Sequence, residues 1–190
     1  MKNYLFSIIV LALFTFAACK QPAPAPEVEI EKSVEPDYAA FDKKVAIIRS
    51  FVQAHADENL EVQRELLADT LKWSPPHFNG NKWLGKEDYL AALKNYHDNF
   101  DNIKFSEGIP LGDSVGDGMW AGSYFPKGAA SSAANAIRQY GTWTATHTAS
   151  GKEIGVKWFA ISWINDAGKI AQMTEYFDVN GLAVQIAEQE

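Results

Sequence analysis

Two carboxylates near the C-terminus, Glu175 and Asp178, and one histidine, His147, are the residues of this chain best suited to chemistry. A carboxyl group inside an apolar cavity has its charged form disfavoured, so its pKa rises and it exchanges protons near neutral pH. Paired with a histidine, such a group supplies both an acid and a base. This pairing suits an enolisation, an isomerisation, a dehydration or an epoxide opening. Because none of these reactions needs a cofactor, we expect neither a cofactor nor a metal ion.

Strand pairing decides which of these side chains point inward. If a hairpin closes at Ser150-Gly151, Trp143 lies opposite Trp158 on the inward face of the sheet. If the next hairpin closes at Asp166-Ala167, Glu175 lies beside Trp158. This register predicts one row of inward side chains that crosses three strands.

A second register of the last hairpin stays open, and it exchanges the two candidate acids. A three-residue turn with Gly168 in a bulge would slip the pairing by one residue. Thr174, Tyr176 and Asp178 would then point inward instead of Glu175. Glu175 also has a purely structural interpretation, in which it accepts a hydrogen bond from an indole N–H. His147 likewise could be a structural histidine, although it shares a face with the inward tryptophans in this register.

Aromatic residues are in excess for a domain of this size, since the chain contains six tryptophans. So many large rings indicate either a wide sheet core or an aromatic-lined cavity. We expect a small apolar or aromatic molecule to bind in such a cavity. The aromatic residues expected to contact it are Trp73, Trp143, Trp158 and Tyr176.

Helical periodicity in the first half of the domain indicates the elements that pack against this sheet. Apolar residues at three- and four-residue spacing predict a first helix over 38–56 and a second over 59–69. A short strand then ends at Pro75-Pro76. A third helix begins near Lys86.

The second half of the domain changes to the alternating pattern that is typical of strands. Turn residues separate the strand-like segments, which are 103–110, 119–125, 139–148, 153–165 and 169–179. The small-residue run 126–136 is interpreted as a slack loop. Helices followed by a curved antiparallel sheet predict an α+β domain.

Several short motifs occur in an order that is typical of one family. They are Leu84-Gly85-Lys86-Glu87-Asp88-Tyr89, Tyr96-His97-Asp98-Asn99-Phe100, Thr146-His147-Thr148, Gly168-Lys169-Ile170 and Tyr176-Phe177-Asp178-Val179-Asn180-Gly181-Leu182. Over roughly residues 38–187 the chain resembles SnoaL-like proteins, the polyketide-cyclase branch of the nuclear transport factor 2-like superfamily. The resemblance implies a cone-shaped fold, with three N-terminal helices packed on a strongly curved antiparallel or mixed sheet around one deep pocket. Members bind or transform small, mostly apolar molecules there, generally without a metal or cofactor.

The resemblance also bears on the candidate acids and on assembly. Aligned with epoxide-hydrolase-like members, Glu175 takes the position of a catalytic carboxylate, whereas Asp178 takes it when the cyclases are aligned. We identify no arginine or second inward acid that would complete an epoxide-hydrolase-like site, so we favour ligand binding over catalysis. Because the superfamily often dimerises through the convex sheet face, we expect a homodimer contact there. Its candidate residues are Phe159, Ile161 and Trp163.

The N-terminal residues predict export and lipid attachment. Lys2 precedes the apolar run 4–16, which is too short to span a bilayer as a helix. Phe16-Ala17-Ala18-Cys19 resembles a bacterial lipobox, whose cysteine receives a diacylglycerol; an ordinary secretory signal or an uncleaved anchor are the alternatives. We expect a lipoprotein signal peptide over 1–18, lipidated Cys19 and a disordered linker over 19–37, and a SnoaL-like domain over 38–190. The protein is then anchored to a membrane of a bacterial cell envelope.

Charge and cysteine content exclude several classes of function. The formal net charge is −7 and the chain has no basic cluster, which argues against nucleic-acid binding. Cys19 is the only cysteine. Its lipidation would therefore exclude disulfides, thiolate nucleophiles and cysteine-ligated metals.

Overall fold

The computed structural model describes residues 38–124 and 131–187, with the backbone alone described for 122–124 and 131–135. The predicted signal peptide, lipidated Cys19 and linker all lie outside the described residues. None of the helices in the described part of the chain combines the length and apolarity that a membrane crossing requires.

The described residues contain the three predicted N-terminal helices and one further helix. Their bounds are α1 (Ala39–Ala56), α2 (Leu60–Leu66), α3 (Lys86–Asn99) and α4 (Val179–Ala187). Helix α2 ends before its predicted end at 69, because the chain is already extended at Leu67. Helix α4 is not among the predicted elements. Its first turn is capped by Asp178, whose Oδ1 accepts a hydrogen bond from the Gly181 N–H at 2.7 Å.

The strands follow the predicted order, but their bounds differ from the predicted ones at several points, and a short hairpin over 109–116 is not among the predicted elements. Their bounds are β1 (Leu67–Ser74), β2 (Phe100–Glu107), β3 (Ile109–Leu111), β4 (Ser114–Gly116), β5 (Met119–Tyr124), β6 (Ser131–His147), β7 (Glu153–Ile164) and β8 (Ile170–Phe177). Strand β6 begins at Ser131, so the interpretation of 126–136 as a loop is wrong from that residue onwards. Strand β8 ends at Phe177, two residues earlier than predicted, where the cap of α4 begins.

The main sheet is mixed and wraps around the helices. Its strand order is β1-β8-β7-β6-β2, with β5 also paired to β6, and β3 and β4 form a separate hairpin. Strand β1 runs parallel to β8, whereas the other pairs of the main sheet are antiparallel. Register shifts in the β1–β8, β2–β6, β5–β6 and β7–β8 pairs bend and twist the strands. The predicted α+β class, with helices on a curved mixed sheet, is confirmed.

The core lies between the helices and the inward face of the sheet. Its fully buried apolar side chains include Ile48 of α1, Leu67 of β1, Ile137 of β6, and Ile170 and Met173 of β8. These residues come from the apolar stripe of α1 and from alternate positions of the strands. Burial of both sets fixes which sheet face is inward.

The β6–β7 hairpin has a wider loop than predicted. The His147 N–H donates to the Lys152 carbonyl at 2.8 Å, so residues 148–151 form the loop and Gly151 takes the left-handed conformation. Trp143 consequently lies opposite Val156, and its predicted position opposite Trp158 is wrong. The slip is two residues, which keeps both tryptophans on the same face, with ring centroids 6.1 Å apart.

The β7–β8 hairpin combines features of both predicted registers. Its turn runs from Asn165 to Lys169, and Gly168 has a φ of +69°, as the bulged alternative requires. A second irregularity, between Trp163 and Ile164, slips the pairing by one more residue. Glu175 therefore lies opposite Ala160, and its predicted pairing with Trp158 is wrong, since Trp158 pairs with Phe177. The two slips together preserve the face, so Glu175 points inward.

Candidate ligand-binding cavity

A cavity of about 230 Å³ lies on the inward face of the sheet, between the sheet and helices α1, α3 and α4. Aromatic rings form much of its wall; they belong to Phe51, Trp73, Tyr89, Tyr96, Phe100, Trp143, Trp158 and Phe177. Aliphatic side chains such as Leu93, Ile103 and Ile154 fill the spaces between them. Pockets for drug-sized ligands typically have volumes of about 300–1,000 Å³. This cavity is smaller, so it suits a smaller molecule.

Glu175 is the carboxylate inside this cavity, and three elements supply hydrogen-bond donors to it. The Trp73 indole N–H donates to Oε2 at 2.7 Å, and the Trp158 indole N–H donates to Oε1 at 3.1 Å. The Tyr89 hydroxyl lies 3.5 Å from Oε1 and closer, at 3.2 Å, to the Met173 sulfur. Strand β1, strand β7 and helix α3 thus meet at one side chain of β8.

Two opposing effects act on the proton affinity of this carboxyl group. Burial raises the pKa of Glu175 to about 7, although the hydrogen bonds from Trp73, Trp158 and Tyr89 favour the charged form and act in the other direction. Removal of the charge from water outweighs the three neutral donors. Glu175 can therefore exchange a proton near neutral pH.

The two tyrosines in the wall remain protonated at neutral pH. Burial and the nearby Glu175 charge raise the pKa of Tyr96 to about 12, and they raise the pKa of Tyr89 well above its usual value. Both hydroxyls are therefore available as hydrogen-bond donors. Tyr96 lines the cavity, and its hydroxyl has no hydrogen-bond partner among the described residues.

A histidine pair joins α1 to α3 at the cavity wall, and the sequence does not reveal it. His55 Nδ1 lies 2.9 Å from His97 Nε2, and the His55 ring meets Trp143 edge to face at a centroid distance of 4.9 Å. Burial, aided by the neighbouring His97, lowers the pKa of His55 to about 3. Burial also lowers the pKa of His97. Both imidazoles are therefore neutral at physiological pH, and His55 lines the cavity.

Three predicted aromatic contacts lie in the cavity wall. Trp73, Trp143 and Trp158 all line it, and two of them bind Glu175. Tyr176 does not, because it lies on the outward face of β8, where 56% of its surface is exposed and its ring stacks on Phe159. Glu175 and Tyr176 are neighbours on β8, so when one side chain points into the cavity the other points outward.

The structure does not bring the other two candidate catalytic residues to Glu175. His147 is not among the residues that line the cavity; its Nδ1 lies 2.8 Å from the Ser150 hydroxyl in the hairpin loop. His147 is the last residue of β6, next to the wider loop, and lies beyond the inward row that contains Trp143. Asp178 is exposed and caps α4, so its role here is structural. The described residues contain no group of three or more potential metal ligands.

The fold, but not the sequence, matches known proteins. No family model and no curated protein matches the sequence. PrhC from Penicillium brasilianum superimposes with a TM-score of 0.59 at 16% identity, over 78% of this chain and 88% of that one. IdmH, a proposed polyketide cyclase from Streptomyces antibioticus, gives 0.55 at 14% identity, over 76% and 99% of the two chains. A proposed isomerase from Bacillus subtilis gives 0.56 at 14% identity, over 79% and 96%.

These likenesses establish the architecture. The chain has the nuclear transport factor 2-like fold, and the fold implied by its SnoaL-like motifs is confirmed.

Proposed function

We propose that the protein binds a small, mainly apolar molecule in the cavity. The observation that carries this proposal is an aromatic-walled cavity of about 230 Å³ whose described lining includes one buried carboxylate. Aromatic and aliphatic walls favour an apolar ligand body, while Glu175, Tyr96 and His55 offer polar anchors. A few polar groups in an apolar concavity are the usual composition of a small-molecule site.

The proposal is tested by ligand titration of the full chain. Intrinsic tryptophan fluorescence should respond to members of a library of small apolar and aromatic compounds. Trp143→Ala should weaken the best of them about tenfold, because loss of roughly 60 Å² of contact at about 25 cal/mol per Å² is worth about 1.5 kcal/mol. Trp83→Ala is the matched control, since Trp83 is exposed and does not line the cavity. A library without a single binder would contradict the proposal.

A second candidate function is cofactor-independent acid–base catalysis on the bound molecule. It is favoured by one observation, namely that the pKa of Glu175 is raised to about 7 inside the cavity. Glu175 could accept a proton from an activated carbon of the ligand and return it to a neighbouring atom, as in an enolisation or an isomerisation. His147 has no part in this version. Deuterium exchange into a bound ketone, lost in Glu175→Gln, would support it, and equal exchange in the variant would contradict it.

We further propose that the protein is a lipoprotein anchored to a membrane of a bacterial cell envelope. The support is in the sequence, where the lipobox-like Phe16-Ala17-Ala18-Cys19 follows an apolar run and precedes a linker rich in proline and charge. Such a linker would hold the binding domain away from the membrane surface.

A homodimer through the outward face of the sheet remains a proposal as well. Four aromatic rings cross this face from β5 to β8, with successive centroid distances of 4.7, 4.6 and 5.8 Å; they belong to Trp120, Tyr140, Phe159 and Tyr176. Ile161 and Trp163 of β7 lie on the same face by alternation. A continuous aromatic row is typical of an interaction surface.

A further inference from the structure

The described lining of the cavity contains an acidic side chain but no lysine or arginine. The acid is Glu175, and it is the only one among those described residues. The ion pairs found in the described part of the chain involve other residues, such as Arg49 with Glu107 and Lys86 with Asp69. His55 supplies no positive charge at neutral pH, because burial lowers its pKa to about 3. The described protein thus gives Glu175 neutral donors only.

The hydrogen bonds to Glu175 leave room for one more donor. An ionised carboxylate has about four acceptor positions, two on each oxygen. Oε1 is approached by the Trp158 indole and the Tyr89 hydroxyl, whereas Oε2 accepts from the Trp73 indole alone. The remaining position is therefore on Oε2, and Glu175 lines the cavity.

The carboxylate itself sets the charge preference at this position. Trp73 and Trp158 turn their indole N–H edges toward Glu175, and the Tyr89 hydroxyl also lies against it, so all three neighbours are neutral. The described lining contains no lysine or arginine to balance the ionised carboxylate. An unbalanced buried carboxylate favours a bound cation and disfavours a bound anion.

We propose, on the basis of the binding function proposed above, that the ligand carries a protonated amine, which donates a hydrogen bond to Glu175 Oε2 and becomes the counterion that the cavity lacks. The apolar remainder of the ligand packs against the aromatic and aliphatic walls. The ligand class is thus a small aliphatic or aromatic amine. It is not a carboxylate or a phosphate.

This proposal predicts a pH dependence of binding. The titratable groups that face Glu175 are Tyr89 and Tyr96 of α3, and the wall also includes His55 of α1 and the exposed His77 between β1 and α3. Tyr89 and Tyr96 are neutral across the neutral range, and so is His55, since burial holds its pKa near 3. Affinity for an amine should therefore rise with pH as Glu175 loses its proton around pH 7 and then level off.

The test compares three probes with the same ring, benzylamine, benzyl alcohol and phenylacetate, by calorimetry on the full chain. At about pH 8, where an alkylamine is still protonated, benzylamine should bind about tenfold more tightly than benzyl alcohol, and phenylacetate should bind weakest. The preference should largely vanish at about pH 5.5, where Glu175 is protonated. It should also vanish in Glu175→Gln but persist in Glu107→Gln, which changes a carboxylate outside the cavity.

A measurement on the wild-type protein covers the case in which Glu175→Gln does not fold. Carboxyl-resolved NMR should show that benzylamine lowers the pKa of Glu175, whereas benzyl alcohol does not lower it. If benzyl alcohol binds as tightly as benzylamine at about pH 8, the amine proposal is wrong while the binding function stands. It is equally wrong if library compounds bind and benzylamine does not. If no compound of any class binds, both proposals fail.

Discussion

Glu175 shows how a single side chain can be both structurally bound and chemically available. Two indole N–H groups donate to its two oxygens, at 2.7 and 3.1 Å, yet burial still raises its pKa to about 7. The sequence allows a structural interpretation, in which an indole binds the carboxylate, and a functional one, in which an inward acid exchanges protons. The geometry satisfies both at once.

The pH dependence of stability tests this balance. Because the folded pKa of Glu175 lies above its usual 4.5, the native state binds more protons between about pH 4.5 and 7, and this residue makes the protein less stable as pH rises through that window. Glu175→Gln removes this effect at every pH but also loses one indole hydrogen bond, since an amide has a single acceptor oxygen. The variant should therefore be less stable than wild type near pH 5, by about 1–2 kcal/mol, and should recover relative to wild type towards pH 8.

Urea unfolding of both proteins at several pH values measures this difference. Glu107→Gln is a control of opposite sign, because Arg49 lowers the pKa of Glu107, and the ion pair stabilises the fold above the usual pKa and is lost on acidification. If the free energies of unfolding of wild type and Glu175→Gln change with pH in parallel, the pKa of Glu175 is not raised in the folded protein.

At the scale of elements, side-chain alternation is more robust than exact pairing. Trp143, Trp158 and Glu175 share the inward face as predicted, although each hairpin is shifted by two residues. The period of two along a strand determines the face, whereas loop width and bulges determine the partner. The irregularity at Trp163 has no sequence signal that could have located it, and it decides between Glu175 and Asp178.

Contacts between helices are the part of the site that local patterns cannot supply. His55 and His97 are 42 positions apart, and their pairing follows from the packing of α1 on α3. Helix α4 does carry a local signal, because Asp178 can cap it and apolar residues recur along it at Val179, Leu182 and Ile186. Its first residues also fit the end of a strand, which hides this signal. Because the chain turns into a helix after β8, Asp178 caps α4 and does not line the cavity.

The histidine pair predicts acid sensitivity of the α1–α3 contact. The folded pKa of His55 is about 3, below the usual 6.5, so the unfolded chain binds more protons between these values and stability falls as pH drops through them. His55→Leu should lose less stability than wild type between about pH 6 and 4, while it is less stable at pH 7 because His97 loses its partner. Thermal unfolding at these pH values measures the effect. An equal loss in both proteins would contradict it.

At the scale of the molecule, the order of short motifs predicted the fold, whereas periodicity located most helices and strands but missed α4 and the start of β6. Placement in the cell rests on residues outside the described part of the chain. Cys19→Ser should convert a membrane-associated protein into an unprocessed or freely soluble one, since no lipid can be attached. Detergent phase partition and mass analysis of the mature N-terminus measure this. Wild-type protein in the aqueous phase without lipid would refute the anchor.

Assembly is a separate property of the whole molecule. If the aromatic row on the outward face is a dimer contact, Tyr176→Arg should shift the protein from dimer to monomer, because a charge would be buried without a partner. Trp83→Arg is the matched control, since Trp83 is exposed to 51% and Tyr176 to 56%. Sedimentation equilibrium measures the change. A wild-type protein that is monomeric at about 100 μM, where even weak dimers form, would contradict the contact.

A crystal structure of the protein with the tightest-binding library compound shows whether the cavity holds a small molecule against Glu175. Density for the compound is expected in the cavity against the rings of Trp143 and Trp158, with its polar group within hydrogen-bond distance of Glu175 Oε2. The Trp73 and Trp158 indoles should keep their hydrogen bonds to the carboxylate. A compound bound on the outward face of the sheet, with none of it in the cavity, would contradict the proposed binding site.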